Sequence, residues 1–172
     1  IGYSGAGKST LAEKLSNYYS IPKLHMDTLQ FQPGWQDSDR EWMLGEMKNF
    51  LTKHEAWVID GNYSWCCYEE RMQEADQIIF LNFSPWTCLF RAFKRYLTYR
   101  GKVRESMAAG CPERFDWDFI RWILWDGRTK NAKERYQRFQ ETYPDKVIVL
   151  RSQKEMDHFL ENLVHNKKNQ RV

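Results

Sequence analysis

The stretch "GYSGAGKST", residues 2–10, packs three glycines, one lysine and an adjacent pair of hydroxyl residues into nine positions. Gly2 through Ser9 fit the spacing G-x-x-x-x-G-K-[ST]. Glycine lets main-chain N–H groups approach an anion without Cβ clashes, and successive N–H groups form a concave anion cradle. Phosphate oxygens need many such donors at close range, with a lysine to reach the outer phosphates and a hydroxyl to ligate a divalent cation. The flanks suit this reading. Ile1 reads as the last residue of a β-strand, with further apolar residues expected upstream. Leu11, Leu15, Tyr18 and Tyr19 then recur at helical spacing, and the helix start favours negative charge. The expected phosphate-binding set is Gly2, Ser4, Gly5, Ala6, Gly7, Lys8, Ser9 and Thr10.

Beyond the loop, short apolar runs alternate with helical patterns, which predicts an α/β chain with a parallel sheet. Ile21 to Met26 reads as a strand. Ser38 and Glu41 read as a capping box for a helix carrying Trp42, Met47 and Leu51. "WVID" (57–60), "QIIFLNF" (77–83) and "KVIVL" (146–150) read as further strands. Ser84 and Pro85 read as the N-cap and first turn of the next helix. A helical pattern runs from Asp116 to Tyr143, interrupted at Asp126-Gly127, and a last helix spans Met156 to Val164. Asp60, at the end of "WVID", is placed to orient Mg²⁺ together with Ser9.

The 172 residues suit one domain, and a chain of this size buries roughly 70% of its unfolded surface. Most of the eight tryptophans are expected in the core or on pocket walls. No apolar run reaches the length of a membrane span and no signal peptide is visible, so a cytoplasmic protein away from membranes is expected. Cys66, Cys67, Cys88 and Cys111 form no C-x-x-C pair and read as free thiols. Net charge is +3, and Lys167, Lys168 and Arg171 of the tail account for the whole excess. A neutral body argues against a specific nucleic-acid partner. The tail reads as a frayed, solvated end.

Gly2 to Ser9, Asp27, Asp60-Gly61 and the pair Arg91/Arg95 together resemble the adenylate-kinase-like branch of P-loop kinases. "LHMDTLQFQPGW", "VIDGNY" and "GCPERFDWDFI" are more specifically similar to the bacterial DNA topology modulation proteins, over most of the chain to about Arg128. The resemblance implies a three-layer P-loop NTPase fold. Its five-stranded parallel sheet would have the order 2-3-1-4-5, flanked by helices, with an arginine-bearing helical lid at about 99–130. It implies ATP and Mg²⁺ as cofactors, bound at the carboxyl ends of the strands. A nucleotide and a small-molecule acceptor are then the expected partners, for a monomer or a dimer. The implied activity is ATP-dependent phosphoryl transfer. The alternative is a nucleotide-binding, DNA-associated protein without kinase turnover.

The lid has separate support in charge. No acidic residue occurs from Gln77 to Arg104, a span that carries Arg91, Lys94, Arg95, Arg100, Lys102 and Arg104. Arg91 and Arg95 share a helix face opposite Leu89 and Phe93, and arginine forks suit phosphate oxygens. Of the series Arg114, Arg121, Arg128 and Arg135, interleaved with acids, only Arg128 beside the Asp126-Gly127 hinge is chosen as catalytic. The expected catalytic set is therefore Lys8, Asp27, Arg91, Arg95 and Arg128.

Asp27 follows the apolar stretch 21–26, where a carboxylate orients or deprotonates an acceptor hydroxyl. His25 alternates with it and reads as structural. Phe31, Trp35 and Tyr63 either wall a pocket for a planar acceptor or simply pack. Gly61 and Asn62, with backbone open to a ligand, and Arg71 complete the expected acceptor site. Adenylate kinases carry an arginine soon after strand two and a proline-arginine after Asp-Gly. This chain has neither, so its acceptor, hydroxyl or phosphate, stays open.

Overall fold

The computed structural model describes residues 1–169, with side chains described through His165. Of the basic tail, Arg171 lies outside the described residues, as do the side chains of Lys167 and Lys168. The architecture is mixed α/β. In chain order come α1 (Lys8–Tyr19), β1 (Lys23–His25), α2 (Met26–Gln30), β2 (Phe31–Gln32), β3 (Gln36–Asp37), α3 (Arg40–Lys53), β4 (Val58–Asp60) and α4 (Tyr68–Glu74). β5 (Ile78–Leu81), α5 (Pro85–Tyr99), α6 (Trp117–Leu124), a 3-10 turn at Asp126–Arg128, α7 (Lys130–Thr142), β6 (Val147–Leu150) and α8 (Gln153–Asn169) complete it. Among the described residues, no helix is long and apolar enough to cross a membrane.

Two strand pairs are parallel as expected of an α/β chain, β2 and β3 form a short antiparallel pair, and there is no one continuous five-stranded ladder. β1 pairs with β4, from Lys23 beside Val58 to His25 beside Asp60. β5 pairs with β6, from Ile78 beside Val147 to Leu81 beside Leu150. The segment before the glycine loop forms only a bridge from Gly2 to Leu81, because just Ile1 and Gly2 lie beside β5. Ile1 N donates to Ile79 O at 2.8 Å and Leu81 N donates to Ile1 O at 2.9 Å. On the other side, the Asn62 side chain meets the same segment. Gly2 N donates to its Oδ1 at 3.0 Å, and its Nδ2 donates to Gly2 O at 2.6 Å. One primary amide thus stitches the β1–β4 side to the β5–β6 side.

The largest core cluster lies where α1 and the start of α5 cover β5 and β6, with Leu11, Leu15, Phe80, Leu81, Phe83, Cys88 and Leu150 buried. A second cluster, Met26, Met43, Met47 and Cys66, joins α2, α3 and the loop after β4. The α3 helix is capped by Asp39, whose Oδ1 accepts from Trp42 N at 2.9 Å, rather than by Ser38. Its buried face runs through Met43 and Met47, which leaves Trp42 exposed. Trp35, Trp65 and Trp122 line one cavity and Trp57 another, whereas Trp42, Trp86, Trp117 and Trp125 are exposed and line neither, so half rather than most of the eight tryptophans take core or wall places. The cause on α5 is a reversed helix face. Its arginines turn toward a cavity, and Trp86, Phe90 and Leu97 turn outward.

Candidate functional site

The glycine loop takes the backbone that its composition requires. Gly5 and Gly7 have φ of 79° and 97°, in the left-handed region. A Cβ on Gly5 would lie 2.4 Å from the Cys88 carbonyl oxygen, so α5 presses directly on the loop. A Cβ on Gly7 would lie 2.8 Å from Arg91 Nη2. The guanidinium of Arg91 therefore rests on the loop at the start of α1. One of its nitrogens, Nη1, is buried with no hydrogen-bond partner, and burial lowers the pKa of the group. Such an unpaired donor is uncommon and calls for a reason. Lys8 Nζ donates to Tyr3 O at 3.2 Å. Ser4 Oγ accepts from Trp122 Nε1 at 3.1 Å, which ties α6 to the loop.

These groups open on a cavity of about 1010 Å³. Of the expected loop residues, Ser4, Gly5, Gly7, Lys8, Ser9 and Thr10 line it. Gly2 and Ala6 are buried beneath: Gly2 in the sheet contact, Ala6 fully inside the core. Asp27, Phe31, Trp35, Gly61, Asn62, Tyr63, Arg91 and Arg95 line the same cavity. The structure thus brings most of the expected nucleotide and acceptor residues to one space.

Asp27 sits in the first turn of α2, because the strand before it ends at His25. Its Oδ1 accepts from Tyr63 OH at 2.7 Å, and burial followed by the Asp27 charge pushes the Tyr63 phenol up. Arg95 is tied to Glu113 at 2.6 Å, and Glu113 also holds Arg104. Arg104, Glu113 and Trp65 line the cavity too and are not in the expected site. Arg104 is visible in the acid-free span. Glu113 carries no local signal, because its partners lie on α5 and in the loop before it.

Asp60 lies outside the lining of the large cavity, on a neighbouring one of about 340 Å³ that shares Lys8. His25 Nδ1 lies 3.1 Å from Asp60 Oδ2, and the Ser9 hydroxyl hydrogen-bonds to the same carboxylate. Burial pushes the Asp60 carboxyl up, but the His25 bond and charge, with Lys8 and Ser9, bring it below its ordinary value. Mg²⁺ takes hard oxygen ligands and keeps several waters, so the Ser9 hydroxyl beside an ionised Asp60 is a donor pair that fits it. No larger metal-ligating cluster of His, Cys, Asp or Glu occurs among the described residues.

The lowered Asp60 pKa has a consequence for stability. The unfolded carboxyl, near ~3.9, binds protons before the folded one does, so stability from Asp60 is complete above that pH. It is lost as pH falls through the lower folded value. Urea unfolding as a function of pH should therefore show an acid limb that is shallower in Asp60→Asn than in the parent.

Two expected residues take other places. Arg71 is 2% exposed and does not line the cavity. Its Nε donates to Cys66 O at 3.1 Å and its Nη2 to Tyr63 O at 2.7 Å. The carbonyls of the 61–67 loop consume it because that loop has no ladder of its own. Arg128 also lies outside the lining. Its Cζ stands 3.7 Å from the Tyr3 ring centroid, and its nitrogens donate to Ile123 O and Phe83 O, both at 3.0 Å. It braces α6 against the loop from behind. Arg114 and Arg121 pair with Asp116 at 2.9 Å and Asp126 at 2.8 Å. The four cysteines are free, and all but Cys67 are buried.

Compared with known proteins, the chain matches no family model and no curated protein sequence.

Proposed function

We propose that the chain is an ATP- and Mg²⁺-dependent phosphotransferase acting on a small-molecule acceptor. The observation that carries this reading is the Arg91 guanidinium on Gly7, with one nitrogen buried and unpartnered, beside Lys8 in a glycine loop. A half-buried guanidinium that lies over the Phe83 ring at 5.0 Å and forms no ion pair among the described residues keeps a donor to spare, and the phosphates of a nucleotide are the anion that this loop suits. The same reading takes the Ile1–Gly2 segment as the centre of a P-loop NTPase sheet in the order β1, β4, Ile1–Gly2, β5, β6. Support comes from its bridge to β5 and its bonds to Asn62.

In this assignment the loop N–H groups and Lys8 hold the outer phosphates, and Arg91 neutralises their charge. Ser9 and Asp60 would hold Mg²⁺, whose chemistry is to neutralise and orient phosphate oxygens. Asp27, kept in place by Tyr63, receives the acceptor. Phosphoryl transfer asks mainly for positioning and charge stabilisation, which is what these residues supply.

Calorimetric titration with Mg-ATP tests the reading. Binding is expected in the parent. In Arg91→Ala it should weaken by about tenfold or more, the worth of a charge-assisted contact to phosphate. Equal affinity in the two proteins, or none in the parent, would remove the reading.

A further inference from the structure

The cavity is divided in charge along its length. At the loop end, Lys8 donates to a carbonyl oxygen and Arg91 keeps an unpartnered nitrogen. Neither forms an ion pair among the described residues. At the Asp27 end, by contrast, Arg95, Arg104 and Arg114 each have a carboxylate partner. Glu113, whose side chain is 3% exposed, lies between Arg95 and Arg104. Arg95 lies in the field of Asp27. Arg114 pairs with Asp116 at 2.9 Å. Among the described residues, these three cations thus stand against Glu113, Asp116 and the nearby Asp27, whereas Lys8 and Arg91 pair with no carboxylate.

The walls of this end are aromatic. Phe31 and Trp35 meet edge to face at 5.2 Å between centroids, Tyr63 and Trp65 at 6.4 Å, and Met107 packs on the first pair. Arg114 covers the Trp35 ring at 5.1 Å. Trp35 holds a φ of 64° and its buried Nε1 has no hydrogen-bond partner, a donor that an acceptor oxygen or nitrogen would satisfy.

We infer that the phosphoryl acceptor is an uncharged, ring-bearing alcohol rather than a phosphomonoester or a carboxylate. This rests on the phosphotransferase reading above and narrows it to one chemistry. Asp27 takes the proton of the acceptor O–H while that oxygen forms a bond to the γ-phosphorus of ATP. The bond from γ-phosphorus to its bridging oxygen breaks, and its electron pair leaves with ADP. The products are ADP and a phosphomonoester, and the proton on Asp27 passes to solvent. A phosphomonoester acceptor needs no such base, and the carboxylates of Asp27 and Glu113 would disfavour it.

The test uses the full chain, with and without saturating Mg-ADP. Calorimetry compares the four ribonucleosides and pyridoxine with the corresponding 5′-phosphates. ATP consumption is followed with the same compounds, and Mg-ATP binding alone serves as the reference. At least one uncharged compound should bind about tenfold or more tightly than its phosphate and be turned over. Glu113→Gln and Asp27→Asn each remove one negative charge, and each should raise the phosphate-to-alcohol affinity ratio by about tenfold. Asp27→Asn should also stop turnover of the alcohol while Mg-ATP still binds. Tighter binding of a phosphate in the parent, an unchanged ratio in both variants, or no binding by any of the panel overturns the inference. If Mg-ATP binds in those cases, the phosphotransferase reading survives. Loss of Mg-ATP binding in the parent strikes that reading itself.

Discussion

Lys8→Ala is expected to lower ATP turnover by about 10²–10³-fold, the usual loss when one preorganised donor to developing charge is removed. The chain supplies few substitutes. Arg91 approaches from the side of Gly7, and Arg95 is already bound to Glu113. The fold should survive, because Lys8 makes one hydrogen bond, to Tyr3 O, and such a bond contributes about 1 kcal/mol. Release of ADP from Mg-ATP, measured beside a thermal melt, separates the two effects. Turnover equal to the parent's would end the phosphotransferase proposal, whereas a collapsed melt would show that Lys8 holds the loop together.

The second large effect concerns stability. Arg71→Ala should destabilise the protein by about 2–4 kcal/mol. The guanidinium is buried and satisfies two carbonyl oxygens, those of Tyr63 and Cys66, while Nη1 lies 3.0 Å from Met26 Sδ. Its loss leaves Cys66 O unpaired and Tyr63 O with only its bond from Cys66 N, and opens a space beside Met26. Relief of the burial cost that lowers the Arg71 pKa offsets part of this, which keeps the figure below that of a broken buried ion pair. Arg71→Met, of similar length, should recover only the packing share. Denaturant unfolding of the three proteins measures the difference, and an Arg71→Ala protein as stable as the parent would show that the 61–67 loop supports itself.

The regular elements were legible where local chemistry fixes them. Ser84 and Pro85 do begin α5, with Ser84 Oγ accepting from Thr87 N at 3.2 Å. "WVID", "QIIFLNF" and "KVIVL" contain β4, β5 and β6. The interruption at Asp126-Gly127 is the 3-10 turn between α6 and α7. What escaped depends on contacts distant in sequence. Arg91 and Arg95 do line one cavity from α5, but that they rest on Gly7 and Glu113 could not be read from the helix's own pattern. The short α2 escaped because Asp27 follows an apolar run that reads as a strand to Met26, whereas the strand ends at His25 and Met26 already begins the helix. Arg71 and Arg128 look like any other arginine in the sequence. Only the fold reveals that backbone carbonyls absorb one and a tyrosine ring carries the other.

The Asn62 amide, which accepts from Gly2 N and donates to Gly2 O, copies the two-way pairing of a peptide group with a side chain. A peptide rung is held in register by the rungs above and below it, but a side chain can rotate away alone. At Gly2 the two parallel pairs are therefore joined through a side chain, while beneath it Leu11 and Leu15 of α1 pack in one core with Val58 of β4 and Phe80 of β5. Because Asn62 and Tyr63 are consecutive, the residue that meets Gly2 is followed directly by the one whose hydroxyl steadies Asp27. A substitution at Asn62 would thus be felt both in the sheet contact and at the carboxylate proposed to receive the acceptor.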